Sequence, residues 1–521
     1  MNIPDSTVPG DFPPRIWKKF AVELSEPVSQ ITNTIFKTGE WPDSWKTEWV
    51  TIIPKIPEPE EKGDLRNLSL TLFISKVVEN IIFEKLTQQW GEKIDSGQFG
   101  GRKGHSVLIY LIKLTNFILS NLDKNKAVLL ALIDFSKAYN RQSHNRLLTC
   151  YSDLGTPPYL LKVLSSYLKN RKMIVRHNGA LSDVFDLPGG GCQGTNLGIL
   201  SFLVYVNSCG VPLDGLLKCV CSSHTGDLCH PLLPIPDPHI SNKYARFKYI
   251  DDLAAAEAVA TSDLEVIPHE MPRPLEYRDR TLHHYPKEKS VLQKILLQID
   301  DFCDAQQMVI NEKKTKTAIF HTGISKDFHP RLTNSDGHIY QNTETFKLLG
   351  VDFQTNSKTG LKWETYLNSC MKRAYSKMWI LRRLSELGVC TEDLLMTYCM
   401  RIRIHVEANV PLWTFSISKT LSSKIEKIQR IATYIILGPV AHQDYYCNLA
   451  ILDLIPLENR REDIAKQFAQ KLYKNPVHNI FQKAATGHTH IHKRKVIVPH
   501  ARRARYDRSS VPSLARLINM M

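Results

Sequence analysis

Three aspartates in this chain could together form a two-metal site for phosphoryl transfer. Asp251 and Asp252 are adjacent in the sequence YIDD, at the tip of a predicted hairpin. Asp134 follows the apolar run 127–133, which predicts a buried strand. Carboxylates that share a pocket repel one another unless cations lie between them, and their hard oxygen atoms suit Mg²⁺. If the fold brings the three aspartates together, we expect metal-assisted phosphoryl transfer.

Each aspartate also has an ordinary structural interpretation. Asp134 could be a helix N-cap, and the pair Asp251-Asp252 could simply form a turn. An unpaired carboxylate buried in the core would be costly, whereas a carboxylate at a strand end can reach a cleft. Taken jointly, the three aspartates favour the metal site.

The composition predicts a folded protein with a polyanionic partner. With 521 residues, 43% of them hydrophobic, the chain is large enough for several packed units. Lys and Arg number 67 against 52 Asp and Glu, a net charge of +15, which favours a nucleic acid, although an acidic membrane surface would also fit. No apolar stretch is long enough to cross a bilayer and no secretory signal is seen, so we expect an intracellular protein without membrane partners, in the nucleus or the cytoplasm.

A second candidate site combines thiols with imidazoles, the ligands that zinc prefers. Its spacing matches no common zinc finger, so incidental reduced thiols in a loop are the alternative interpretation. The cluster consists of Cys219, Cys221, His224, Cys229 and His230.

The order of predicted elements indicates an α+β protein. Short apolar strands alternate with longer helical segments from Thr51 onward, and the chain is almost wholly helical after Trp363. Between the first aspartate and the pair lies a glycine-dense bend, 187–195, where the backbone can approach a ligand and the amide of Gln193 can touch a nucleotide.

Seven motifs in order give the chain a specific resemblance to one family. It resembles the reverse transcriptases of non-LTR retrotransposons of the jockey-like kind, over roughly residues 45 to 475. The matching segments are Pro54-Lys55 with 64–70 (DLRNLSL), 98–104 (QFGGRKG), 134–140 (DFSKAYN), 192–194 (CQG), 249–252 (YIDD), Asn311 with Lys314-Thr315, and Leu349-Gly350.

The resemblance implies a right-hand polymerase of fingers, palm and thumb, with a mixed palm sheet and a helical C-terminal region. We divide the chain on this basis into an N-terminal extension (1–45), fingers and palm (46–355), a helical thumb and C-terminal region (356–480), and a basic tail (481–521) that is expected to be mobile. The implied partners are an RNA template, a DNA primer or target, and dNTPs.

The resemblance also implies roles for individual residues. Asp134, Asp251 and Asp252 would hold two Mg²⁺ ions, for which Mn²⁺ can substitute. Lys314 would protonate the leaving pyrophosphate, and Leu349-Gly350 would grip the primer. The nucleotide would be bound by Lys55, Arg66, Tyr139, Gln193 and Tyr249.

Tyr139 is the residue that discriminates between DNA and RNA synthesis. Its ring would lie under the incoming sugar and leave no room for a 2′-hydroxyl group, whereas RNA-copying RNA polymerases resemble one another in an Asp at this point. A core aromatic residue that fills space is the alternative interpretation.

The sequence departs from the family pattern in three places. Cys192 replaces the usual Pro before Gln193, so we expect a looser bend. Asn140 replaces an Asp, and the segment from Ser208 to Ala245 matches poorly.

The chain shows neither an endonuclease, a ribonuclease H pattern nor a zinc knuckle, so we expect the polymerase without its endonuclease. A decayed or co-opted polymerase fold that only binds nucleic acid is the alternative function.

Overall fold

The computed structural model describes most of the chain. The described residues are 8, 11–61, 65–177, 179–209, 244–260, 265–266, 283–284, 290–322, 332–356, 358–475, 480–481 and 495–521. The candidate zinc residues 219–230 lie outside them.

The described strands form four sheets and are numbered along the chain. They are β1 (Thr47–Pro54), β2 (Leu65–Leu70), β3 (Lys126–Ile133), β4 (Arg171–His177), β5 (Ala180–Leu181), β6 (Phe185–Leu187), β7 (Tyr244–Tyr249), β8 (Asp252–Ala260), β9 (Glu265–Val266), β10 (His283–His284), β11 (Lys316–Phe320), β12 (Gln341–Asn342), β13 (Thr345–Leu348), β14 (Val351–Asn356) and β15 (Gly360–Lys362).

The described α-helices are numbered in the same way. They are α1 (Pro14–Lys19), α2 (Ser25–Thr38), α3 (Phe73–Trp90), α4 (Val107–Asp123), α5 (His144–Asp153), α6 (Pro158–Leu168), α7 (Asn196–Tyr205), α8 (Val291–Gln306), α9 (Glu364–Glu386), α10 (Thr391–Thr397), α11 (Ile404–Glu407), α12 (Val410–Trp413), α13 (Lys419–Leu437), α14 (Tyr445–Ile451), α15 (Leu457–Lys474), α16 (Ala504–Asp507) and α17 (Ser510–Met520).

The central sheet has the strand order β12-β11-β3-β8-β7 and is mixed, because β11 and β12 are parallel while its other pairs are antiparallel. Its middle strand, β3, is covered on both faces. Val128 and Leu130 pack on the side of α4 and the C-terminal helices, and Leu129 and Ala131 pack on the side of α3 and α5–α8. Two buried faces explain why the sequence of β3 is continuously apolar rather than alternating.

Two further sheets, of five and three strands, belong to the parts of the fold around the candidate site. The first has the order β2-β1-β4-β5, with β6 also paired to β4. The second, β13-β14-β15, leads into α9, the first of the C-terminal helices. The predicted α+β class, with a mixed central sheet and a helical C-terminal region, is confirmed. Among the described helices none is both long and apolar enough to cross a membrane.

The end of the chain is packed, so the prediction of a mobile tail is wrong for residues 495–521. Tyr506 and Leu514 belong to the same apolar core as α4 and the C-terminal helices. The buried carboxylate of Asp123, at the end of α4, accepts hydrogen bonds from the backbone N–H groups of Arg502 and Arg503, at 2.7 and 2.8 Å. The burial of apolar side chains along α17 outweighs the basic composition that led to the expectation of mobility.

Truncation of Leu514 tests this packing. Leu514→Ala should lower the free energy of unfolding by about 2–5 kcal/mol, because the side chain is fully buried and its loss leaves a cavity. Met520→Ala on the same helix is the control, since Met520 is 79% exposed and its truncation should change stability by no more than about 0.5 kcal/mol. Urea unfolding of the two variants measures the difference, and equal stabilities would contradict the packed C-terminus.

Candidate active site

Strand pairing brings the three aspartates to one edge of the central sheet. Ile133 of β3 lies opposite Leu253 of β8, so Asp134 and Asp252 extend from neighbouring strands at the same edge. Tyr249 pairs with Asp252, so Ile250 and Asp251 form the two-residue turn between β7 and β8. The adjacent pair and the distant third carboxylate therefore lie at the same edge of the central sheet, and we call this region the candidate cleft.

The carboxylates interact electrostatically with one another. Burial, followed by the negative charges of Asp251 and Asp134, raises the pKa of Asp252 to about 6. Burial also raises the pKa of Asp134, and the charge of Asp251 adds to this effect, while the nearby Lys314 opposes it. Asp251 is accessible at the turn, but the protein atoms around it raise its pKa by desolvation, against the charges of Arg66 and Lys55.

The cleft is not preassembled as a metal centre. Within the described part of the chain, no three Asp, Glu, His or Cys side chains are already grouped as ligands of one ion. The donor chemistry nevertheless fits a divalent cation. Burial is the main cause of the raised pKa of Asp252, and the negative charges of Asp251 and Asp134 add to it. A cation among these carboxylates would offset that repulsion.

The loop that carries Lys314 is fastened to Asp134. The backbone N–H of Asn311 donates to the Asp134 carbonyl at 2.7 Å, and the Asp134 N–H donates to Oγ1 of Thr315 at 3.2 Å. The Asn311 side chain also hydrogen-bonds to the Asp134 carboxylate. Lys314 is exposed beside Asp134, and Asn311 is a functional candidate to which the sequence analysis assigned no role.

The β1–β2 hairpin presents two cations to the same cleft. Arg66 lies opposite Ile53 on the paired strands, and Lys55 follows the end of β1. Both are exposed, and both interact electrostatically with Asp251. Lys55 also interacts with Asp134. The structure thus places these two predicted residues near the carboxylates.

Tyr139 and the glycine-dense bend are joined by backbone hydrogen bonds. The N–H of Gly191 donates to the Tyr139 carbonyl at 2.9 Å. The half-buried ring of Tyr139 stacks on Phe202 with centroids 4.7 Å apart, and it lies close enough to Asp251 to interact with its charge. The carbonyl of Gln193 accepts from the N–H of Ser69 at 2.8 Å, which ties the bend to β2.

Cys192 is anchored by buried side-chain contacts, while the expectation of a looser bend at this position stays a prediction. Its thiol donates to Oε2 of Glu48 at 2.9 Å and accepts from Nη2 of Arg171, also at 2.9 Å. Burial raises the pKa of Cys192, which keeps the thiol protonated and able to donate. Glu48 lies on β1 and Arg171 on β4, two strands distant in sequence, and their convergence on Cys192 could not be read from local patterns.

The remaining predicted residues occupy two other positions. Tyr249 ends β7 directly opposite Asp252, with its ring centroid 6.3 Å from that of Tyr110. Leu349 and Gly350 form the two-residue turn of the β13–β14 hairpin, both at positive φ. That hairpin belongs to a different sheet from the carboxylates, and its role in gripping the primer stays a prediction.

A buried ion-pair cluster behind the site anchors β7. Asp95 lies 2.7 Å from Nη2 of Arg246 and 2.9 Å from Nζ of Lys248, with all three side chains at most 3% exposed. Burial would raise the pKa of Asp95, but the charges of Lys248 and Arg246 outweigh it and lower the pKa to about 2. Sequence reasoning missed this cluster, because Asp95 is separated by about 150 residues from both of its partners.

Comparison with known proteins shows what the segment around this site is similar to. Residues 53–255 match the family described as reverse transcriptase (RNA-dependent DNA polymerase). This segment contains all three aspartates, and the predicted family resemblance is confirmed.

Among curated proteins, the chain is 24% identical over 80% of its length to a probable RNA-directed DNA polymerase from transposon BS of Drosophila melanogaster, of which it covers 41%. It is 28% identical over 34% of its length to the RNA-directed DNA polymerase from mobile element jockey of the same organism, of which it covers 20%. The chain is thus homologous to retrotransposon polymerases and spans less than half of their length.

Among solved structures, the chain is similar to the telomerase from Candida tropicalis in complex with a fragment of telomeric RNA. The alignment covers 97% of this chain and 65% of the telomerase chain. The TM-score is 0.41 and the sequence identity is 11%.

Removal of the Asp95 charge tests how β7 is anchored. Asp95→Asn should lower the free energy of unfolding by about 3–5 kcal/mol at neutral pH, because two buried cations lose their partner. Since folding lowers the pKa of Asp95, its contribution is complete above the ordinary value of 3.8 and is lost as the pH falls through about 2. Urea unfolding measures the free energy of unfolding of both proteins over this pH range. The difference between wild type and variant should become smaller as the pH falls.

The control is Asp186→Asn, at an exposed position of β6, which should change stability by no more than about 0.5 kcal/mol. If Asp95→Asn were as stable as this control at neutral pH, the ion pairs would not anchor the strand.

Proposed function

We propose that this protein is an RNA-directed DNA polymerase that extends a DNA primer with dNTPs on an RNA template. The observation that carries the proposal is the position of Asp134, Asp251 and Asp252 at the same edge of the central sheet. All three lie within the segment that matches the reverse transcriptase family. The net charge of +15 supports a nucleic-acid partner.

In this proposal each part of the fold has one task. The sheet formed by β1, β2 and β4–β6 acts as the fingers, the central sheet as the palm, and the helices from α9 onward as the thumb. The β1–β2 hairpin would bring Lys55 and Arg66 to the triphosphate, because both already interact with the charge of Asp251. Leu349 and Gly350 would hold the primer end.

Asp134, Asp251 and Asp252 would hold two Mg²⁺ ions, or Mn²⁺ in their place. Such ions would activate the primer 3′-hydroxyl group and neutralise the triphosphate and the leaving pyrophosphate. The protein orients these carboxylates through the β3–β8 register and through the Asn311 loop bound to Asp134. Lys314, beside Asp134, would supply the proton to the leaving group.

Gln193 and Tyr139 would form the nucleotide pocket. The backbone of the bend is bound to Tyr139 on one side and to Ser69 of β2 on the other, so it links the pocket floor to the fingers. The ring of Tyr139, stacked on Phe202, would stand where a 2′-hydroxyl group of the incoming sugar would otherwise fit.

Primer extension on an RNA template tests the activity. Asp251→Asn should reduce dNTP incorporation with Mg²⁺ or Mn²⁺ by at least about 100-fold, because a metal ligand loses its charge. Asp186→Asn is the matched control and should retain activity, since its carboxylate is exposed on β6. Incorporation by Asp251→Asn at the wild-type rate would contradict the proposal. Salt-sensitive RNA binding without any synthesis by the wild type would instead support the co-opted nucleic-acid binder.

Sugar discrimination tests the role of Tyr139. Tyr139→Ala should lower the preference for dNTPs over rNTPs by about ten-fold or more, because a steric barrier against the 2′-hydroxyl group is removed. The ratio of kcat/KM values for the two substrates measures this preference, and Tyr159→Ala, at an exposed position on α6, is the control. An unchanged ratio would show that Tyr139 only fills space in the core. A preference of the wild-type protein for rNTPs would indicate an RNA-copying RNA polymerase.

A further inference from the structure

The turn that carries Asp251 has an unfavourable backbone conformation. Ile250, the first of its two residues, has φ +60°. Type II′ hairpin turns place a glycine at this position, and a β-branched side chain there is a steric outlier. Such a conformation persists only where the surrounding structure holds it in place.

The side chain of Gln98 holds this turn from behind. Its Oε1 accepts a hydrogen bond from the N–H of Ile250 at 3.1 Å and a second from the N–H of Gly100 at 3.0 Å. Gln98 is only 2% exposed, so water does not compete for these bonds. The QFGGRKG segment, which the sequence analysis quoted without assigning it a role, therefore contacts the backbone next to Asp251.

The segment around Gln98 is aligned with the end of β7. The N–H of Phe99 donates to the Lys248 carbonyl and the N–H of Lys248 donates to the Gly97 carbonyl, both at 2.8 Å. Oδ1 of Asp95 accepts from the N–H of Gly97 at 2.9 Å, and Asp95 is itself paired with Arg246. Gln98 is thus attached to the strand whose turn it contacts.

Gly100 completes the contact by allowing close approach. A Cβ atom at this position would lie 2.5 Å from Cγ1 of Ile250 and 2.6 Å from its backbone nitrogen. Only glycine lets the two backbone segments lie this close, so the turn rests directly on the Gln98–Gly100 segment.

We propose that Gln98 is a positioning residue that holds the Ile250-Asp251 turn in the conformation in which Asp251 binds metal. Its amide oxygen compensates the unfavourable φ of Ile250 and so sets the direction of the Asp251 carboxylate. This inference rests on the proposed function, in which Asp251 is a metal ligand. It goes beyond that function by assigning a site role to a residue that is not among the proposed metal or nucleotide ligands.

The first test uses the metal-free protein. Gln98→Met keeps the length of the side chain but removes the acceptor, so the amide of Ile250 should exchange its hydrogen faster in the peptide that spans the β7–β8 turn. Mn²⁺ binding, followed by electron paramagnetic resonance, should weaken by about ten-fold or more. Gln88→Met, at an exposed position on α3, is the control and should alter neither readout.

The second test measures primer extension. Gln98→Met should lower kcat by about 10- to 100-fold, because a small displacement of a catalytic group is costly, while the KM for primer-template stays unchanged. In an Ile250→Gly background the same substitution should lower kcat much less, because glycine adopts φ +60° without support from Gln98. An equal effect in both backgrounds, or unchanged exchange and Mn²⁺ binding, would overturn the inference.

The outcomes separate this inference from the proposed function. If the wild-type protein binds Mn²⁺ but extends no primer, the proposed polymerase activity is refuted. Hydrogen exchange and Mn²⁺ binding would still decide the role of Gln98. If Gln98→Met does not fold, Gln98→Asn replaces it, since an amide one methylene shorter does not reach Ile250 and the same results are expected.

Discussion

The antiparallel pairing of β3 with β8 determines where the site forms. The two strands pair over eight positions, from Lys126 with Ala260 to Ile133 with Leu253, and this register places Asp134 beside Asp252. A slip of one residue would displace the two carboxylates and turn every side chain of β3 to the opposite face. Because both faces of β3 are packed, such a slip would disrupt two cores at once, and the register is strongly specified.

The buried Asp95 and the partly exposed aspartates of the candidate site have opposite electrostatic surroundings. Asp95 is enclosed with Arg246 and Lys248, so its pKa is low and its charge is compensated within the fold. Burial, followed by the negative charges of Asp251 and Asp134, raises the pKa of Asp252 to about 6. Permanent pairing suits an anchor of strand β7, whereas repulsion between like charges suits a site that takes up cations.

The site depends on contacts from four separate parts of the chain. The turn of Asp251 rests on Gln98, Asp134 is bound to the Asn311 loop, and the bend at Gln193 is tied to β2. Cys192 links the same bend to Glu48 and Arg171, so a substitution that removes the rigid ring of proline is compensated by buried hydrogen bonds. The fold thus holds the elements of the candidate site mainly through backbone groups and buried side chains that local sequence patterns do not reveal.

The sequence by itself determined the three aspartates, the β3 strand, the α+β class and the family resemblance, because periodicity, composition and motif order are local properties. It did not determine the Asp95 cluster, the anchoring of Cys192 or the support of Ile250 by Gln98. Each of these includes a contact between residues more than 100 positions apart in the chain. It also gave a wrong expectation for the C-terminus, where basic composition indicated mobility. Only the tertiary structure supplies the apolar surface on which Leu514 is buried and the Asp123 carboxylate that binds the backbone of Arg502 and Arg503.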